Sequence, residues 1–172
     1  MKRFITLLLT LALCLPMWAC GDSGQTKEEK IPTIKTGEKI QLSDDLSFKI
    51  VKISYQDDAL IRGLDFTPGN GETFCVIECV LYNEGRKTLS LSRYGGVCPE
   101  IDMDYDNGYD SHYFKAEWEY GTSTYIVPEL EAQKSKTIKF YADIPDVQVN
   151  DKSSSKVISV SYQGREFQLK LQ

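Results

Sequence analysis

The sequence predicts an all-β domain, an antiparallel sandwich of two sheets carried behind an N-terminal leader and a short tether. Three observations lead there. Apolar residues recur at every second position in segment after segment, the period of a strand with one face turned inward. Gly, Asn and Asp punctuate those segments at short intervals, as turns require. No stretch carries an apolar stripe at helical spacing. Seven to nine short strands of this kind are expected to pack as two facing sheets.

The leader comes first. Lys2 and Arg3 precede an apolar run from Phe4 to Leu15. As a helix that run rises about 18 Å, well short of a hydrocarbon core of roughly 30 Å. It reads as the apolar region of a signal peptide rather than as a membrane-spanning helix. Pro16 ends it, and Met17-Trp18-Ala19-Cys20 resembles a lipobox. Cys20 is therefore the expected lipidation site, with residues 1–19 as the signal peptide. Trp18 stands where a small residue is usual, and Cys14 is buried within the apolar run. An ordinary secretory signal and an uncleaved anchor are the alternatives. Residues 20–30 form the lipidated cysteine and a tether: Gly21 to Lys30 contains no apolar side chain and cannot build a core. The sandwich domain is expected over residues 31–172, a length suited to one core.

Within the domain, Leu46, Phe48 and Ile50 alternate, and then Val51 and Ile53 take over the pattern. A change of phase inside one strand suggests a β-bulge. From Thr73 to Tyr82, Cys75, Ile77, Cys79 and Leu81 share one face, while Phe74, Val76 and Val80 share the other with Glu78. Two apolar faces mark a central strand. Leu89 and Leu91 give a short strand. Ile101, Met103 and Tyr105 alternate with Asp102, Asp104 and Asp106. Phe114, Ala116, Trp118 and Tyr120 alternate with Tyr113, Lys115, Glu117 and Glu119, predicting a strand with the first set inward. Ile138, Phe140 and Ala142 give another. Ile158, Val160 and Tyr162, the turn Gln163-Gly164, and then Phe167, Leu169 and Leu171 predict a closing hairpin.

Several of these segments fall in a familiar order. Gly37-Glu38-Lys39 opens a strand, and Gly71-Glu72-Thr73-Phe74 leads into the long one, which ends in Tyr82-Asn83-Glu84-Gly85. Leu89-Ser90-Leu91, Asp106-Asn107-Gly108, Val127-Pro128 and Ile144-Pro145 follow. This order resembles the immunoglobulin-like domain of unknown function found in Gram-positive surface lipoproteins. That domain is similar in fold to a small immunogenic protein secreted by mycobacteria. The resemblance spans nearly the whole domain and implies an immunoglobulin-like sandwich, with no established activity and no catalytic residues. The segment from Tyr109 to Tyr125 is longer than the resemblance leads one to expect.

Charge narrows the partners. The chain carries a net −5, and losing Lys2 and Arg3 with the leader takes it to −7. An acidic domain does not favour nucleic acid, nor an anionic membrane surface through charge alone. Lipid on Cys20 would provide the membrane attachment.

Three candidate sites remain. Cys75 and Cys79 lie about 13 Å apart along one strand, too far for a disulfide. Cys98 is the available partner for either, unless all three are buried free thiols. A zinc site lacks a Cys pair of the usual spacing, and His112 is the chain's single histidine. Asp102, Asp104, Asp106 and Asp110 resemble a calcium loop, but Asn107 displaces Gly108 by one position. The alternation instead places these acids on a strand's wet face, followed by a turn, so no metal and no cofactor are expected. The third site is the aromatic segment: Tyr105, Tyr109, Tyr113, Phe114, Trp118, Tyr120 and Tyr125. Tyr109 and Tyr113 fall off the inward face and are the expected partner-binding residues. No nucleophile motif accompanies His112, so no enzyme is expected. The sequence thus points to a lipid-anchored module on the extracellular face of the cell membrane, binding or scaffolding an envelope protein or glycan. A calcium- or glycan-binding module is the alternative, and a small hydrolase is a more remote one.

Overall fold

The computed structural model describes residues 31–93, 95–121 and 127–171. The leader, Cys20, the tether and Tyr125 lie outside the described residues.

One sheet holds β1 (Lys39–Ser43), β2 (Leu46–Gln56), β5 (Glu72–Asn83), β9 (Lys115–Ala116) and β11 (Ser135–Pro145), in the order β1-β2-β5-β11-β9. The other holds β7 (Glu100–Tyr105), β8 (His112–Tyr113), β12 (Lys156–Tyr162) and β13 (Arg165–Leu171), in the order β13-β12-β7-β8. Two small pairs complete it: β3 (Ala59–Ile61) with β4 (Leu64–Phe66), and β6 (Leu89–Ser90) with β10 (Glu129–Leu130). Every strand pairing described is antiparallel. Among the described residues, helix is confined to a 3₁₀ turn, Glu117–Glu119, and to α1 (Asp146–Asn150). Among the described residues, seven strands reach five residues or more, and the others are pieces of two or three.

The core lies between the two sheets. Phe48, Ile50, Cys75, Ile77, Cys79, Leu81 and Phe140 enter it from one side. Ile101, Met103, Ile158, Val160 and Phe167 enter it from the other. β5 is central, paired with β2 on one side and β11 on the other, as its two apolar faces require. The bulge sits where the phase changes: the β2–β5 register shifts between Ile50 and Lys52. Val51 is the extra residue and remains 40% exposed, while Ile53 pairs with Ile77 and rejoins the core. In the closing hairpin Ile158 faces Leu169 and Val160 faces Phe167. Gln163 and Gly164 both adopt positive φ, 48° and 81°, the backbone that a two-residue hairpin of matching twist demands.

The expected strand from Tyr113 to Tyr120 is corrected. It breaks after Ala116 into the 3₁₀ turn. Glu119 folds back so that its Oε2 accepts the Ala116 N–H at 2.7 Å, which closes the turn locally. Phe114, Ala116 and Trp118 still reach the inter-sheet core, but the tighter turn changes the phase and sends Tyr120 to the opposite side of its sheet.

That side carries a second, smaller core. Phe74 and Val76 project from the outer face of β5 and Tyr141 from that of β11. The β3–β4 hairpin folds over them, burying Ala59 and Ile61, with Phe66 and Tyr120 packed at the margin.

Candidate functional site

The aromatic segment separates into three settings. The first lies beside α1. Tyr109 packs edge-on against Tyr105 at 5.7 Å, and Tyr105 against His112 at 5.8 Å. The Nε2–H of His112 donates to Gln148 Oε1 at 2.6 Å. Tyr109 is half-buried. The second setting is Tyr113. The Arg93 guanidinium lies 4.2 Å from its ring centroid and pairs with Glu119 at 2.7 Å. Both charged side chains are 21% exposed. The hydroxyl of Tyr113 is buried without a hydrogen-bond partner. Of the two expected binding tyrosines, then, Tyr113 lies beneath a cation with its polar end covered, and Tyr109 keeps part of its ring in water.

The third setting is the β3–β4 hairpin. Tyr120 sits edge-on to Phe66 at 5.5 Å and to Tyr141 at 5.6 Å, and its hydroxyl donates to the Tyr141 carbonyl at 3.3 Å. Above this layer the hairpin turns on Arg62 and Gly63, at φ 54° and 79°. Strand alternation buries Ala59 and Ile61 and leaves Leu60 outside, 70% exposed, while Leu64, paired with Ile61 on the sheet-facing side, stays 51% exposed at the hairpin's margin. Asp57, Asp58 and Asp65 are exposed around them, Asp65 directly across from Leu60.

The acids of β7 lie on its outward face, while Ile101 and Met103 are fully buried on the other. Asp104 accepts from Ser111 at 2.6 Å and from Ser159 at 2.9 Å. Asp106 accepts from the hydroxyl and amide of Ser155, which hold its carboxyl below the ordinary range. Asp102 is pushed above its ordinary value, first by burial and then by Asp104 and Glu100. The hydrogen bonds of Asp104 and Asp106 thus close the structure around the turn at Asp106-Asn107-Gly108. Among the described residues, no three His, Cys, Asp or Glu side chains converge as a metal site.

Cys75, Cys79 and Cys98 are free thiols. Burial raises all three, Cys75 and Cys98 to about 12. Among the described residues, no helix is long and apolar enough to cross a membrane.

No protein-family model matches the chain, and no curated protein matches it. Solved structures do. An uncharacterized β-sandwich protein from Clostridium difficile 630 superposes with a TM-score of 0.68, over 86% of this chain and 99% of its own, at 20% identity. The fold is a β-sandwich. A conserved hypothetical protein from Bacillus anthracis follows at TM-score 0.53 and 13% identity, over 78% of this chain and 93% of its own. At these identities the likeness is one of fold alone.

Sequence reasoning missed Arg93, Glu119, Leu60 and Leu64. The first two meet only in the folded chain. The leucines carried a weak signal, because Arg62-Gly63 is a turn pair set between apolar residues.

Proposed function

We propose that the protein is a non-catalytic binding or scaffold module of the cell envelope, held at the extracellular face of the membrane by lipid on Cys20. The observation that carries the binding role is the β3–β4 hairpin, which presents Leu60 and Leu64 to solvent among Asp57, Asp58 and Asp65. Two exposed leucines on one short hairpin, Leu60 on its outer face and Leu64 at its margin, with carboxylates beside them, suit a partner segment that is itself apolar and basic. The leucines would supply the desolvated contact, and the acids would steer and orient it. The occupant is therefore an envelope protein with such a segment.

The test is capture of envelope proteins by the full chain and by a Leu60→Ser, Leu64→Ser variant. A partner should be retained by the first and lost by the second, with binding that weakens as salt rises and a melting temperature that barely moves. Equal capture by both would remove the hairpin from the reading. Loss of the partner in a Tyr109→Ala variant alone would move the site to the α1 end. Lipid on Cys20 is checked separately: a Cys20→Ala protein that still carries a diacylglyceryl mass would refute it.

A further inference from the structure

The three thiols are not equivalent. β5 begins beside α1, where the Asp146 amide donates to the Gly71 carbonyl and Thr73 Oγ1 donates to Asp146. Cys75 lies near that end, opposite Tyr55 of β2, and is close enough to Tyr105 for the two groups to influence one another. β7 runs the other way. It finishes at Tyr105, level with Lys156, whose Nζ donates to the Val149 carbonyl in α1. Cys98 lies seven residues before Tyr105, up to about 23 Å of extended chain back from the α1 end. Cys79 lies four residues beyond Cys75 on the same core face, about 13 Å in the direction of Cys98. Cys98 packs on that core from the loop entering β7. The Cys79 thiol is fully buried, and after burial itself the largest influence on it is the Cys98 thiol.

We propose that Cys79 and Cys98 are a redox pair that closes into a disulfide across the core when the protein meets a thiol oxidant, while Cys75 stays reduced. Cys98 is the half-buried, more accessible partner. It borders a cleft of about 210 Å³ with Arg93, Glu100 and Tyr162, so a small disulfide can reach it. The Cys98 thiolate attacks one sulfur of that disulfide, forming a mixed disulfide and releasing one thiol. The Cys79 thiolate then attacks the Cys98 sulfur and expels the second thiol. One S–S bond forms in the protein, the oxidant's S–S bond is reduced to two thiols, and the protons of Cys79 and Cys98 are transferred to them. Burial keeps both thiols protonated, so closure should be slow at neutral pH and faster as pH rises.

The test uses the full chain, reduced and then held in oxidised glutathione, with proteolysis after glutamate. Cleavage at Glu78 separates Cys75 from Cys79. Fragment 79–84 should be joined to fragment 85–100, with fragment 73–78 carrying a free thiol. The melting temperature should rise by several degrees, fall back on reduction, and not respond to oxidant in Cys98→Ser. Should the native core resist the oxidant, a Cys75→Ala chain is refolded in a glutathione redox buffer, where Cys79 and Cys98 are open during folding. Free Cys79 and Cys98 after that refolding, or Cys98 joined to Cys75 in the first arm, overturns the proposal.

Discussion

The two sheets treat their outward faces differently. The face of β7 and β12 away from the core carries Asp102, Asp104, Ser159 and Ser161, half-buried and partly hydrogen-bonded across the strands. The corresponding face of β5 and β11 carries Phe74, Val76 and Tyr141, each under 5% exposed. The first face needs only water. The second cannot face water without losing the stabilisation of burial, so the chain supplies a cover in the β3–β4 hairpin. The hairpin's own outer side then bears Leu60, and Leu64 is left half-exposed at its margin. Covering one apolar face thus moved a smaller apolar surface outward.

The largest effect expected from breaking this arrangement is Phe74→Ala. Phe74 is 2% exposed and packs edge-on against Tyr120 and Tyr141. Its loss should lower stability by about 3–5 kcal/mol, as for a ring removed from a main core. Denaturant unfolding will measure it, and a loss under about 1 kcal/mol would mean that the outer layer is decorative. Ile61→Ala should come next, at about 2–3 kcal/mol, because it loosens the cover rather than the sheet. Trypsin should then cut after Arg62 much faster than in the parent, while the far-ultraviolet circular dichroism keeps its β form.

Much of this could be read from the chain. The Ile158–Leu171 hairpin, the bulge at Val51 and the central position of β5 follow from local alternation, and the structure has all three. The hairpin cover was not legible. Its strands are three residues long, too short to show a period, and its reason for existing is the apolar back of β5, remote in sequence. Tyr120 was misplaced for a related reason. The turn at Glu117–Glu119 depends on Glu119 finding both the Ala116 amide and Arg93, and the second is a long-range partner that alternation cannot announce. Of the proposed binding residues, Leu60 and Leu64 became visible only once the hairpin had a sheet beneath it. The expected lipidation site, Cys20, lies outside the described residues.

The smallest effect belongs to the wet face. In Asp102 the folded carboxyl is raised by burial, Asp104 and Glu100. The folded state therefore holds its proton more tightly than the unfolded state, and stability falls as pH rises through that window. Asp102→Asn should add roughly 0.5 kcal/mol or less at neutral pH, and the gain should vanish on acidification below the ordinary carboxylate range. Thermal melts of both chains across pH will show it. A gain that persists in acid would point to packing instead of charge.

The edges of the sandwich have a consequence for how the protein behaves in a crowd. Strands left bare at a sheet's margin invite other chains to add on. Here β8 and β9 expose only two residues each. The margin of β13 is occupied by the chain's own early residues. The Ile34 amide donates to the Gln168 carbonyl at 2.8 Å, and the Gln168 amide donates to the Pro32 carbonyl at 2.9 Å. β1 is bent by a register shift between Gln41 and Ser43, and the Gln41 side chain donates to the Ser43 carbonyl. Many copies concentrated on one surface could therefore stand side by side without zipping into fibrils, each remaining free to meet a partner of a different kind.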